Sequence, residues 1–224
     1  MKGSLLTLLK IYGPILCFII LSAWVGDWAG FSMKQLVSDP AEISGQSSFI
    51  GFFSQIGNLL WCGTTAICLF SASIIRANKT KKTNPQLFAF LIFSGSLSAL
   101  FLIDDQFRLH EKFGRILYGS NTTVSRTAQN VAEMIVFAVY GLVFVAFICI
   151  FRKLILRSNL LFLLLAVGFF GLSTIVDLTP ENWIGHHIIE ESCKLLGIFS
   201  WLIYFVQFCT QKIQALAIQS YPPS

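Results

Sequence analysis

The densest run of residues able to bind a metal or move a proton is GHHIIEESCK, residues 185–194. If this run is helical, His187 and Glu191 are four apart, as are His186 and Glu190, while His187 and Glu190 are three apart. One helical face then presents imidazole nitrogens and carboxylates toward a common point. Lys194 can neutralise that face through Glu190 or Glu191. A second run, LIDDQFRLHEKF at 102–113, puts Asp104 and Glu111 seven apart on one face, with Arg108 four after Asp104 and His110 close in angle to Glu111. Gln129, Asn130 and Glu133 open a later apolar run, and Asp177, Thr179, Pro180 and Glu181 follow the end of another. All three histidines fall in the first two clusters.

Neutral imidazole with two or three carboxylates suits zinc, iron or manganese, whereas an all-oxygen set suits calcium or magnesium. The expected metal ligands are Asp104, Glu111, His187, Glu190 and Glu191, with Asp105, His110 and Glu133 as catalytic candidates and His186 and Asp177 as supporting or alternative ligands. Such a divalent metal would lower the pKa of a bound water and polarise a carbonyl or phosphoryl oxygen. Iron or manganese would open dioxygen chemistry instead. Two other readings stay open. The same groups can form an interhelical salt-bridge network with Arg108, Lys112, Arg115 and Lys194, as in a non-catalytic subunit, or they can carry protons or ions.

The elements that must position these groups follow from composition. The 224 residues are 55% hydrophobic and 12% charged, with a mean hydropathy of +0.72, which leaves too little polar surface for an ordinary water-soluble domain. The apolar residues are gathered into long runs, and backbone amides in hydrocarbon must bond internally, so the runs are expected to be helices. The expected fold is an all-α polytopic membrane bundle forming one domain, with spans near 11–28, 49–75, 87–103, 131–151, 160–178 and 187–209. Its partners would be membrane lipid, a lipid-like substrate and a further membrane protein or second copy. The Gly168 to Gly171 spacing would allow close helix contact.

Charge placement orients the bundle. With both termini on the cytoplasmic side, the inner segments carry ten basic residues (Lys2, Lys10, Arg76, Lys79, Lys81, Lys82, Arg152, Lys153, Arg157 and Lys212) and no acidic one, leaving six basic residues and all eleven acidic ones outside. This obeys the positive-inside bias. The metal-binding clusters then lie at the outer ends of the helices, within reach of a lipid entering from the outer leaflet. The net charge of +5 becomes an inner rim facing anionic lipid, and no basic tract with a stacking platform argues for nucleic acid.

Several common signatures are missing. There is no Gly-rich phosphate loop, HExxH or GxSxG, and the six cysteines form no CxxC, which argues against a disulfide framework. Asn121 to Thr123 matches the N-glycosylation pattern. Ser98 lies seven residues before Asp105, where a hydroxyl either joins the cluster or bonds its own helix backbone, the second being the usual outcome. Ser98, Asp105 and His110 on one span with His187 on the last resemble alkaline ceramidases and related membrane hydrolases. The resemblance implies a Ser, Asp and His zinc site at one end of a helical bundle. This chain departs from that pattern in having Glu191, not a histidine, four after His187, and six expected spans rather than seven.

Overall fold

The structure, a computed structural model, describes residues 2–28, 52–77, 85–107, 109, 126–177, 179 and 186–220. These form six α-helices and no strand: α1 (Lys2–Trp28), α2 (Phe52–Ala77), α3 (Pro85–Phe107), α4 (Arg126–Ile155), α5 (Leu161–Asp177) and α6 (His186–Ser220). The all-helical expectation holds, and each expected span overlaps one of these helices among the described residues. Boundaries differ most in α6, which runs eleven residues past the expected end at 209. Among the described residues, α2, α3, Met134–Ile155 of α4 and His186–Ile218 of α6 are long and apolar enough to cross a membrane. The 17 residues of α5 extend only about 26 Å at 1.5 Å each, short of a hydrocarbon core of about 30 Å.

Local chemistry explains the helix ends. Pro85 opens α3, where its missing N–H costs nothing and its fixed φ suits the first turn. After α4, Ser158 donates both its backbone N–H and its hydroxyl to the Ile155 carbonyl, at 2.9 and 2.6 Å. Asn159 Oδ1 then accepts the Leu161 N–H at 3.3 Å and satisfies a first-turn donor of α5. Exposed apolar side chains such as Ile135, Leu142, Val145 and Ile150 on α4 are compatible with lipid contact.

The chain divides into two compact units, residues 1–57 with 167–197 and residues 58–166 with 198–224. In the second unit the core is aromatic. Phe90, fully buried, lies against Phe147 at 5.4 Å, Phe151 at 5.3 Å and Phe208 at 4.9 Å between ring centroids. Trp201 packs on Trp61 and Phe205, and its indole N–H donates to Ser98 Oγ at 3.0 Å. Gly95 lets α2 approach α3, since a Cβ there would meet Leu69 at 3.0 Å. Lipid tails are as apolar as these side chains, so the close packing and not water exclusion holds such a core together.

In the first unit, Tyr12 of α1 packs on Phe169 of α5 with centroids 6.3 Å apart, and Phe18 packs on Phe52. The Phe170 ring of α5 lies directly on Gly197 of α6, where an added Cβ would sit 2.8 Å from the ring. Ser173 Oγ donates to the Glu190 carbonyl at 3.1 Å, a second tie between the two helices.

Candidate metal centre

The first turn and a half of α6 carries His186, His187, Glu190 and Glu191. One ligand atom from each of His186, His187 and Glu190 lies within 4.8 Å of the other two. His186 is 4% exposed, and its Nε2 is 2.7 Å from the Val176 carbonyl oxygen in the last turn of α5. A carbonyl oxygen only accepts, so Nε2 carries the hydrogen and a neutral ring keeps its lone pair on Nδ1. That Nδ1 faces Glu190 Oε2 at 3.8 Å, and His187 Nδ1 faces the same oxygen at 3.6 Å. The two rings stand edge to face, with centroids 5.3 Å apart.

These separations carry chemical meaning. Both exceed the hydrogen-bond range of about 2.7–3.2 Å. Ligands about 2.1 Å from a tetrahedral zinc ion stand about 3.4 Å from one another, so Glu190 Oε2 lies close to zinc-ligand spacing from each imidazole nitrogen. A backbone carbonyl holding the far nitrogen of a ligating histidine is the usual outer support of such a site. The Val176 carbonyl is itself held, because Thr179 donates to it from its backbone N–H at 2.9 Å and its hydroxyl at 2.7 Å. The positive end of α6 opposes a cation here, and the Glu190 and Glu191 carboxylates offset it.

The residues expected from sequence separate into four groups. His187 and Glu190 are brought together, and His186, expected only as a support or alternative, joins them as the most buried member. Glu191 instead faces Lys194, with Nζ 3.9 Å from its Oε1. Asp104 and Asp105 are buried in the second unit, where the Tyr140 hydroxyl of α4 donates to the Asp104 carboxylate. His110 and Glu111 lie outside the described residues, as do Asn121 to Thr123, and Glu133 is on α4 with its side chain outside them. Ser98 donates to the Ser94 carbonyl at 2.9 Å and accepts from Trp201, so its hydroxyl is engaged in the core of the second unit. The Val176 carbonyl was invisible to a reading of side-chain types, because every residue has one.

The sequence matches, over residues 13–208, the family described as Domain of unknown function (DUF8692). The chain belongs to that family. The matched region contains the whole His186, His187 and Glu190 group, all of α5 and α6 as far as residue 208. No curated protein and no solved structure matches the chain.

Proposed function

We infer that this chain is a multi-pass membrane enzyme that uses a divalent metal held by His186, His187 and Glu190, and that it hydrolyses a lipid or other hydrophobic substrate. The observation that carries the reading is the pair of distances from Glu190 Oε2, 3.8 Å to His186 Nδ1 and 3.6 Å to His187 Nδ1, too long for hydrogen bonds and suited to a shared ion. Three protein ligands of the His, His, Glu type leave a fourth position open to water, which is the arrangement of catalytic zinc. His187 is 43% exposed while His186 is buried, so one side of the site is anchored and the other is accessible. Zinc there would activate water; iron or manganese would turn the same ligands to dioxygen. The ten-to-six basic bias supports a reading with both termini on the cytoplasmic side and the site at the outer interface, within reach of lipid from that leaflet.

The test is element-resolved metal analysis of the full chain, purified in detergent without chelators, beside His187→Ala, Glu190→Gln and Glu191→Gln. Near-stoichiometric zinc, iron or manganese in the parent and in Glu191→Gln, with loss in the other two folded variants, is the expected result. Ester and amide lipids in mixed micelles then test hydrolysis by the loaded protein. A parent that takes up no metal after attempted reconstitution sinks the reading. His186 would then serve to close the C-terminal carbonyls of α5, a role its bond to Val176 already suits.

A further inference from the structure

The last turn of α4 and the turn that follows it carry Arg152, Lys153 and Arg157, three cations within six residues of the second unit. All three side chains are exposed, and among the described residues none has a hydrogen-bond or ion-pair partner. The elements packed here supply no counter-charge. Phe151 lies on Phe90 of α3 and Ser158 bonds Tyr204 of α6, yet neither residues 85–95 nor residues 204–220 contain an acid, and none occurs between Glu133 and Asp177. Two other cations of this unit already rest on rings, Arg76 over Phe88 at 5.7 Å and Lys212 over Phe208 at 5.2 Å. Like charges one turn apart repel, so an anion held by Lys153 and Arg157 would relieve that repulsion as well as pair with each cation.

The rest of α4 says what kind of anion fits. Leu142, Val145, Ile150 and Leu156, each more than half exposed, lie on the same side of the helix as Lys153, while Phe147, Phe151 and Ile155 on the opposite side are buried. Of the four helices long and apolar enough to cross a membrane, α4 is the least buried. Cationic heads at the end of an exposed apolar stripe match an amphiphile with its negative group at headgroup level and its tail along hydrocarbon, and a guanidinium fork suits phosphate oxygens. A soluble phosphate would use the cations alone, and a second copy related by a twofold axis would bring the same three charges face to face. We propose that Arg152, Lys153 and Arg157 bind the headgroup of an anionic phospholipid whose acyl chain lies along the exposed side of α4. The site shares no residue with the histidine centre of the first unit and does not depend on it.

Native mass spectrometry of the detergent-purified full chain, titrated separately with phosphatidylglycerol and with phosphatidylcholine of the same acyl chains, tests this. The chain should bind phosphatidylglycerol in clear preference to phosphatidylcholine. Each basic residue near an anionic headgroup contributes about fivefold, so Lys153→Gln with Arg157→Gln should weaken phosphatidylglycerol about twentyfold and leave phosphatidylcholine unchanged. Arg76→Gln with Lys212→Gln removes the same charge from the ring-bound pair and should have a much smaller effect. Lys153→Arg keeps the charge and should bind as the parent does, as should Glu190→Gln. Glycerol phosphate, a headgroup without chains, should not displace the lipid. Monodisperse elution checks that each variant is folded. Equal affinity for the two lipids, phosphatidylglycerol binding unchanged in folded Lys153→Gln with Arg157→Gln, or an equal loss in the ring-bound pair overturns the proposal. Displacement by glycerol phosphate would make this a soluble-anion site, and parent dimers that dissociate in the Lys153 and Arg157 variant would make it a contact between copies; either result also overturns it.

Discussion

Replacing Ser98 by Ala separates a core hydroxyl from a catalytic one. The Trp201 indole N–H, on a side chain 1% exposed, donates to Ser98 Oγ at 3.0 Å, and Ser98 is fully buried. Ala leaves that donor without its acceptor in a core that water does not reach, at a cost of about 1–3 kcal/mol. Interhelical hydrogen bonds inside a membrane couple more weakly, by about 0.6 kcal/mol on average and about 1.7 at most, because the helices find other partners in the reference state. The expected loss for Ser98→Ala is therefore about 1 kcal/mol. Trp201→Phe removes the donor, so Ser98→Ala in that background should cost about half as much or less, since the Ser98 bond to the Ser94 carbonyl is to its own helix. Reversible unfolding of the four proteins in mixed detergent micelles measures the coupling, and metal content is read on the same samples. Equal cost of Ser98→Ala in both backgrounds refutes the hydrogen-bond account. Loss of metal from folded Ser98→Ala would place the hydroxyl in the metal centre, as the ceramidase resemblance implies.

Other substitutions probe the packing and the metal centre. Gly197→Ala forces a Cβ to within 2.8 Å of the Phe170 ring and should destabilise the first unit by about 1–3 kcal/mol, seen as a lower unfolding midpoint; Phe170→Leu in the same chain should recover part of it. Phe90→Ala empties the space among Phe147, Phe151 and Phe208. Its cost should be at least about 2 kcal/mol by the same unfolding assay, from lost packing even where the unfolded helix stays in lipid. Glu191→Gln weakens a part-exposed 3.9 Å contact with Lys194 and should change stability by less than about 1 kcal/mol. Thr179→Val removes the hydroxyl that helps hold the Val176 carbonyl, and through His186 should weaken zinc about tenfold in competition with a chromogenic chelator.

Sequence alone determined that the chain is helical and roughly where the apolar helices run, because apolar runs in hydrocarbon must close their own backbone hydrogen bonds, but not how far α6 extends past residue 209. It also determined that His186, His187, Glu190 and Glu191 share one end of α6, since three- and four-residue spacing is a local property of any helix. It could not decide which of the two carboxylates meets the imidazoles. That choice came with Lys194 drawing toward Glu191 and with α5 packing on α6, through Phe170 on Gly197 and Ser173 on the Glu190 carbonyl. The tautomer of His186 was likewise beyond a one-dimensional reading, because it is set by a backbone carbonyl ten residues away on another helix. Ser98 is the same lesson at longer range. Its spacing from Asp105 left two roles open; in the fold it donates to its own helix at the Ser94 carbonyl and accepts from Trp201, 103 residues further along, a donor that only the folded chain brings near.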